Sequence, residues 1–465
     1  MNKKPGANNE QKGNSPGGGL LRLHRLLFGK KTSQKLLEKA ENQTLDQSYW
    51  GIVRRRFRQN KLALWSFRLL CFLLFLAVFA DFLANDKPIF CKIEGKIYFP
   101  VMQQYAIDLG LSRWDSLILS KDWSEQKYES VLRTPIPYSA TFQDGQNWNY
   151  KGPFNRQKVP SKRYWHWLGT DKLGRDVAAG LIKGTRTAML VGVIAMSIAS
   201  LIGIFLGSLA GYFGDNRFKV SRARLSLNLL GLFFALFYGF FVRNYALQEA
   251  AKAGNLGAEV FKSLAIFMGV LLIFNFLTFF LRKAPLFEKK ITLPLDLLIM
   301  RLIEILNSIP ALFLILSLVA ILKNKSIIQI MVIIGLISWT GIARFIRAEM
   351  LRIRNLEYIQ AARAMGFSET RIIFRHAIPN ALTPVLISIA FGIAGAILLE
   401  AALSFLGIGV PLEEVTWGRL LAEARGYYPA WWLAIFPGMA IFVTVTIFNL
   451  IGEGLTEALD PKLKQ

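Results

Sequence analysis

The chain is poor in the residues from which metal and redox centres are built. Its 465 residues include two cysteines, Cys71 and Cys91, and three histidines, His24, His166 and His376. Two cysteines, one near the first apolar stretch and one just beyond it, make no disulfide framework. So few His and Cys side chains also argue against a metal site. Acidic residues are scarce, 31 against 56 Lys and Arg, giving a formal net charge of +25. The basic residues sit mostly in short loops beside apolar runs, which is positive-inside bias rather than a nucleic-acid face. No Gly-x-x-x-x-Gly-Lys-Ser/Thr loop occurs. Gly29-Lys30-Lys31-Thr32 is the nearest approach, but His24 stands at the earlier glycine position and no strand precedes it. With no Ser/His/Asp or Cys/His constellation either, no catalytic residue is assigned and no enzyme activity is expected of the chain. The first 60 residues lack the uninterrupted apolar core of a cleavable signal peptide.

Long apolar runs are what the chain has. Hydrophobic residues make up 53% of it, gathered near 62–83, 186–212, 226–242, 261–281, 302–322, 326–346, 382–404 and 432–453. Each is long enough, or nearly so, to cross about 30 Å of hydrocarbon at about 1.5 Å per residue. The expected fold is all-α, a polytopic bundle of about eight transmembrane helices. Residues 1–61 form a basic tail: 1–19 are Gly-, Asn-, Lys- and Pro-rich, and 20–40 interleave Leu20, Leu23 and Leu27 with Arg22, Arg25, Lys30 and Lys31, as an amphipathic surface helix or a floppy basic tail would. Arg54, Arg55, Arg56 and Arg58 before the first span put the N-terminus in the cytoplasm. Eight crossings return the C-terminus there. Arg217, Lys219, Arg222 and Arg224, then Arg282, Lys283, Lys289 and Lys290, then Arg344 to Arg375, all fall on the expected inside. Residues 84–185, with Trp114, Trp123, Trp148, Trp165 and Trp167, are expected to form a small extracytoplasmic domain with some strand.

Three motifs carry the functional reading. Residues 357–379 read Glu-Tyr-Ile-Gln-Ala-Ala-Arg-Ala-Met-Gly-Phe-Ser-Glu-Thr-Arg-Ile-Ile-Phe-Arg-His-Ala-Ile-Pro, a polar, basic helix–turn–helix between apolar spans. Ala361 and Ala362 favour helix and close approach, Gly366 permits a turn, and Phe367, Ile372, Ile373 and Phe374 offer an apolar anchor. Pro379 is expected to end the second short helix and start the next span. Ahead of the second span stands His166-Trp-Leu-Gly-Thr-Asp-Lys-Leu-Gly-Arg-Asp176. Gly169 and Gly174 allow tight turns, Asp171 and Asp176 can pair with Lys172 or Arg175, and Thr170 or Asp176 suits a helix cap. Glu400 in Ile397–Gly409 and Glu304 in Arg301–Pro310 are carboxylates in apolar settings. Such groups face a bundle interior or a watery path, or are bonded for packing. Asn307, Ser308 and Pro310 suggest a loosened helix. Gly203, Gly207 and Gly211 make a small-residue face, best read as intramolecular packing.

The 357–379 segment resembles the EAA loop of ABC transporter permeases: Gln360, Ala361, Ala362, Gly366, Ile378 and Pro379 fall at the template's spacing, Glu357 stands three residues before the first of them, and with Phe367 these are the ATPase-coupling residues the resemblance implies. It departs from the template at Gln360, His376 and Ile378. The 166–176 run resembles the signature of the oligopeptide/dipeptide/nickel permease branch. Residues 84–100 are similar to a sub-branch associated with broad oligopeptide and microcin C uptake. The resemblance covers roughly 50–215 and 295–462 and implies a type I importer permease in the bacterial inner membrane, translocating peptides by alternating access. It implies a second permease subunit, two ATPase subunits that bind ATP and Mg, and an extracytoplasmic binding protein. Gly169, Thr170, Asp171, Gly174, Arg175 and Asp176 would be the external signature, and Glu304, Asn307 and Glu400 candidates for the pathway. Residues 216–294 fall outside the resemblance and add two apolar segments to a family of typically six spans. Other readings are a secondary transporter or channel, or import of nickel or another small solute.

Overall fold

The computed structural model describes residues 49–114, 123, 126–253, 256–281, 290–321, 326–408, 411 and 414–459. The expectations for the tail before residue 49 lie outside the described residues. The chain runs as helices α1 (Tyr49–Gln59), α2 (Lys61–Val78) and α3 (Ala80–Leu83), strands β1 (Phe90–Ile93) and β2 (Lys96–Tyr98), α4 (Pro100–Asp108) and β3 (Ser130–Leu132). Next come α5 (Val177–Phe213), β4 (Lys219–Ser221), α6 (Arg222–Leu236), α7 (Asn244–Ala253), α8 (Leu256–Leu281) and β5 (Lys290–Thr292). They are followed by α9 (Leu295–Ser308), α10 (Ala311–Ile321), α11 (Ile327–Ile353), α12 (Glu357–Ala364), α13 (Glu369–Ile372), α14 (Ile378–Phe405), α15 (Trp417–Gly426) and α16 (Trp431–Leu459).

Among the described residues seven helical stretches are long and apolar enough to span a membrane, and an eighth span exists if α9 and α10 are counted together. That pair replaces the straight span expected over 302–322. The helix starts earlier, at Leu295, and bends by 83° between α9 and α10. The break falls at Ile309-Pro310, where proline has no N–H to donate and biases its predecessor out of the helical region; Ile309 is extended, at φ −102° and ψ 126°.

The centre of the bundle is the parallel pair α5 and α11. At about 1.5 Å per residue α5 is about 55 Å long, well beyond a hydrocarbon core of about 30 Å. Asp176 caps its start, accepting from Ala179 N at 2.7 Å, and Gly214 (φ +59°) ends it. A Cβ on Gly203, Gly207 or Gly211 would meet the carbonyl oxygens of Trp339, Ala343 or Arg347 at 2.9, 2.5 and 2.5 Å. The glycine face is therefore spent inside this chain, backbone against backbone. α14 and α16 pack beside this pair, and α2 lies against α16, where a Cβ on Gly454 would meet that of Ala63 at 2.3 Å.

The added segment forms its own unit. β4 and β5 pair antiparallel, with Lys219 opposite Thr292 and Ser221 opposite Lys290, so the chain leaves and re-enters the bundle through one two-stranded clasp. Beyond it α6 and α8 pack on each other, Gly231 against Phe274 and Gly239 against Phe267. Arg243, in a helix that passes through a π-helical turn at Phe237–Phe241, donates to Ser263 at 3.0 Å and pairs with Glu259. The outer faces remain exposed, as at Phe233, Phe241, Phe261 and Phe276. At the α5 N-terminal end, β2-β1-β3 form a three-stranded sheet with a two-residue Glu94-Gly95 turn, both at positive φ (49° and 78°), as a type I′ hairpin requires. Cys91 is buried on β1 and Cys71 exposed, both as free thiols.

Candidate functional site: an elbow and a turn cassette at opposite ends of the bundle

Residues 354–378 form an elbow at the C-terminal end of α5. α12 stops at a turn in which Met365 N bonds Ala361 O at 2.9 Å, Gly366 N bonds Arg363 O at 3.0 Å and Phe367 N bonds Ala362 O at 3.2 Å. Gly366 has φ +78° and open space where a Cβ would stand, so conformation and not crowding requires glycine. Ser368 caps α13. The chain does not stop at Pro379. It passes through a π-helical turn at Ile373–Ala377 directly into α14, making one helical stretch from Glu369 to Phe405. Proline is tolerated because it sits in the first turn of α14, where the widened π turn relieves the missing donor.

The elbow has an inner and an outer side. Ile359, Ala362, Ile372 and Ile373 are buried in one core with Tyr212, Ile346 and Met350. Ala362, Ile372 and Ile373 thus face their own bundle, contrary to their expected place on a docking surface. The outer side carries Glu357, Tyr358, Gln360, Ala361, Met365, Gly366 and Phe374, with Pro379 exposed, whereas Phe367 and Ile378 are half-buried and pack against the inner core. Gln360, in the position where the resemblance expects an acid, donates to Asn355 O at 3.1 Å. Phe367 is clamped between the Arg371 guanidinium, 4.5 Å from its ring, and the His376 ring, stacked at 6.4 Å.

Sequence reasoning missed the tie between elbow and bundle. Arg363 donates to Glu369 Oε1 at 3.0 Å and to the Tyr212 hydroxyl at 3.1 Å, and Tyr212 bonds Glu369 in turn. Arg354 donates to Gly211 O at 3.0 Å, and Arg347 Nη2 to Asp296 Oδ2 at 2.7 Å. The last turn of α5, the end of α11, the start of α9 and the elbow are bolted together. Tyr212, 151 residues before Arg363, had no local pattern to mark it.

The 166–176 run forms a buried turn cassette at the other end of α5. His166 is fully buried, with Nδ1 2.8 Å from Asp176 Oδ2 and Nε2 3.2 Å from Asp144 Oδ2. Tyr138 stacks on its ring at 4.3 Å, and Gln157 bonds both its N–H and its carbonyl. Burial alone would lower the His166 pKa, but the two carboxylates outweigh it and raise it above the ordinary value. Burial works to raise Asp144, and bonds from Asn147, the Gln146 N–H and His166 overcome it and lower it. Asp171 pairs with Arg175 rather than Lys172, and accepts from Leu173 N and Arg175 N at 2.8 and 2.9 Å. Arg175 also reaches Glu423 of α15 at 2.5 Å. Burial first, then repulsion from Asp171, push the Glu423 carboxyl up to about 7 despite Arg175 and Arg419. Thr170 donates to Asn147 O at 2.8 Å, and Trp432 of α16 donates to Thr170 O at 3.1 Å. A Cβ on Gly169 would meet Lys151 O at 2.7 Å and one on Gly174 would meet Asp144 O at 2.3 Å, with both residues near φ +80°.

The three pathway candidates separate. Glu400 is 2% exposed and bonded to Ser404 Oγ at 2.5 Å, with Thr416 on the same carboxyl, so packing accounts for it. Glu304 is exposed on α9, paired with Arg301 at 2.6 Å. Asn307, on the same helix, accepts from Thr340 of α11 at 3.2 Å. A charged, exposed pair suits a surface that meets water or protein rather than hydrocarbon.

This is the architecture of a membrane permease, and comparison with known proteins agrees. The family described as the binding-protein-dependent transport system inner membrane component matches residues 289–465, and the N-terminal transmembrane domain of oligopeptide transport permease C matches residues 48–104. The chain belongs to the binding-protein-dependent transport permeases. Within them it belongs to the branch of the oligopeptide and dipeptide C-type permeases. It is 27% identical over 421 residues to the inner membrane ABC transporter permease protein YejE of Escherichia coli, covering 90% of this chain and 97% of that one. It is 29% identical over 313 residues to the dipeptide transport system permease protein DppC of Alkalihalophilus pseudofirmus, covering 67% and 76%. A putative peptide transport system permease protein of Brucella suis is 42% identical over 170 residues, 36% of this chain and 57% of that one. Neither family match includes α6–α8.

Proposed function

We propose that the chain is one transmembrane subunit of an ATP-driven importer of peptides in the bacterial inner membrane. Two ATPase subunits that bind ATP and Mg dock on the outer side of the elbow, a second permease completes the pathway, and a binding protein delivers cargo at the cassette end. The termini and the elbow lie in the cytoplasm, and the 84–176 segment outside. The observation that carries this reading is the elbow itself. An exposed apolar rim at Ala361 and Met365 stands on a turn bolted to α5 through Tyr212, Arg363 and Glu369. A pull on the rim moves α5 and, through their glycine contacts, α11 as one body, which is rigid-body gating between two arrangements. The exposed Arg301–Glu304 pair and Asn307 on the bent α9 supply polar groups for the zwitterionic ends of a peptide.

The test is affinity purification of the tagged full chain from its native membrane in mild detergent, with mass spectrometry of what accompanies it. P-loop ATPases and a second permease are expected with the wild type. The ATPases are expected to be lost on Ala361→Asp or Met365→Asp, exposed positions whose change leaves the core intact. A stable chain that brings no ATPase in any detergent would defeat the proposal and favour a secondary transporter.

A further inference from the structure

We infer that the groove between the last turns of α5 and the start of α14 binds an anionic diacyl phospholipid of the inner leaflet. The inference rests on the proposed sidedness of the elbow. The groove encloses about 690 Å³ and its walls are almost wholly apolar: Leu201, Phe205 and Phe213 from α5, Phe218 from the loop before β4, and Phe374 from the π turn. Leu201 and Phe205 are 74% and 57% exposed, so the groove opens outward from the bundle.

Three features select a phospholipid rather than a bare hydrocarbon. Serines within helices ordinarily bond back to a carbonyl four residues earlier, as Ser197 does to Val193 O at 2.7 Å. Ser208 lines the groove, is 4% exposed, and its hydroxyl has no partner. Ser200 and Thr444 are also unpartnered but do not line it. Ser208 lies five residues from the end of α5, about 7–8 Å along the axis. The interfacial layer is about 5–8 Å deep on each side of the hydrocarbon. With the end of α5 at phosphate level, Ser208 stands where a glycerol ester carbonyl would accept its proton, and Leu201 and Phe205 stand where the acyl chain begins.

The rim supplies the charge. Arg217 is exposed just past the end of α5, close enough to act on Glu369 at the groove's polar end. The β4–β5 clasp is amphipathic: Lys219, Ser221, Lys290 and Thr292 share one face, and Val220 and Ile291 the other. A basic rim over an apolar slot complements an anionic headgroup with its tail. Because Glu369, Thr370 and Ile373 form the far wall, an occupied groove braces the elbow where it joins α14.

Native mass spectrometry of the purified full chain, with phosphatidylglycerol or phosphatidylcholine added at equal amounts, tests this. The wild type is expected to retain phosphatidylglycerol in preference. Arg217→Glu with Lys219→Glu should cut that retention about thirtyfold or more, a factor of about five for each basic charge lost. Thr370→Trp, which fills the mouth without altering charge, should cut retention of both lipids. Unfolding curves confirm that each variant is folded. Retention that ignores the headgroup and survives both changes would overturn the inference, as would a helix of another chain cross-linking to Phe205→Cys in native membranes. Lipid retention is read without any ATPase, so its failure and a failure of the importer reading are separate results.

Discussion

The two ends of α5 are built on opposite plans. At the cassette end the polar groups are buried and densely paired. His166 sits between two carboxylates, Asp171 takes Arg175, and Trp432, 262 residues away, closes the turn. At the elbow end the bonds are few and partly exposed, and apolar side chains such as Met365 and Phe374 face outward at 66% and 65% exposure. A dense buried network holds one geometry, because each broken bond strands a buried charge. A rim with exposed apolar side chains, tied to the bundle by the Tyr212–Arg363–Glu369 triad, the Arg354–Gly211 bond and a buried apolar inner side, is suited to take up a partner and move with it. Under the proposed function, the difference makes α5 a lever with one fixed and one driven end.

The contrast can be broken at the fixed end first. Asp176→Ala removes the His166 partner and the α5 cap together and should cost about 3–5 kcal/mol, read as a drop in the unfolding temperature of the purified chain. Next is the shaft. Gly207→Val places methyl groups against Ala343 O, where a Cβ alone would stand at 2.5 Å. Overpacking of this kind costs about 1–3 kcal/mol or more and should separate α5 from α11, seen in the same unfolding curves. At the driven end, Tyr212→Phe deletes one hydroxyl and should cost only about 1 kcal/mol of stability. It should lower ATP-driven uptake far more than that figure suggests while ATPases still co-purify, because docking survives and transmission does not.

The pH response sharpens the comparison further. The folded-state pKa of His166 is raised, so its contribution is complete below about 6.5 and is lost as pH rises through the folded value. The unfolding temperature should therefore fall on the alkaline side, and His166→Gln should flatten that limb. The smallest effect is expected from excising α6–α8. Joining β4 to β5 directly, at the clasp, should leave unfolding of the remaining bundle and ATPase recovery near wild type, since these helices pack on one another.

Much of the elbow was legible in the sequence because local rules write it: a glycine where φ must be positive, alanines on a short helix, and a proline where a helix enters the bilayer. The glycine repeat and the Asp176 cap were legible for the same reason, and so was the weakness around Asn307–Pro310, though not its 83° bend. The inward side of the elbow was not. Ala362, Ile372 and Ile373 look like an outward anchor until the core around Tyr212 is seen. Partners brought together by packing leave no periodicity, so Arg175 gave no sign of Glu423, 248 residues on. Glu400 left two readings open, a pathway or packing. A carboxylate in an apolar run draws attention, and two hydroxyls beside it satisfy it.

The most direct test of the lever is a pair of distances in the assembled, reconstituted transporter, with spin labels at exposed sites. One pair joins Met365 of the elbow to an exposed cytoplasmic site on the second permease, and the other joins Gln146 to Lys172 within the cassette end. On trapping the ATPases in their closed state, the account predicts that the first distance shifts beyond the width of its resting distribution while the second stays unchanged. A first distance that stays fixed through ATP binding, or a cassette distance that moves as much, would contradict it.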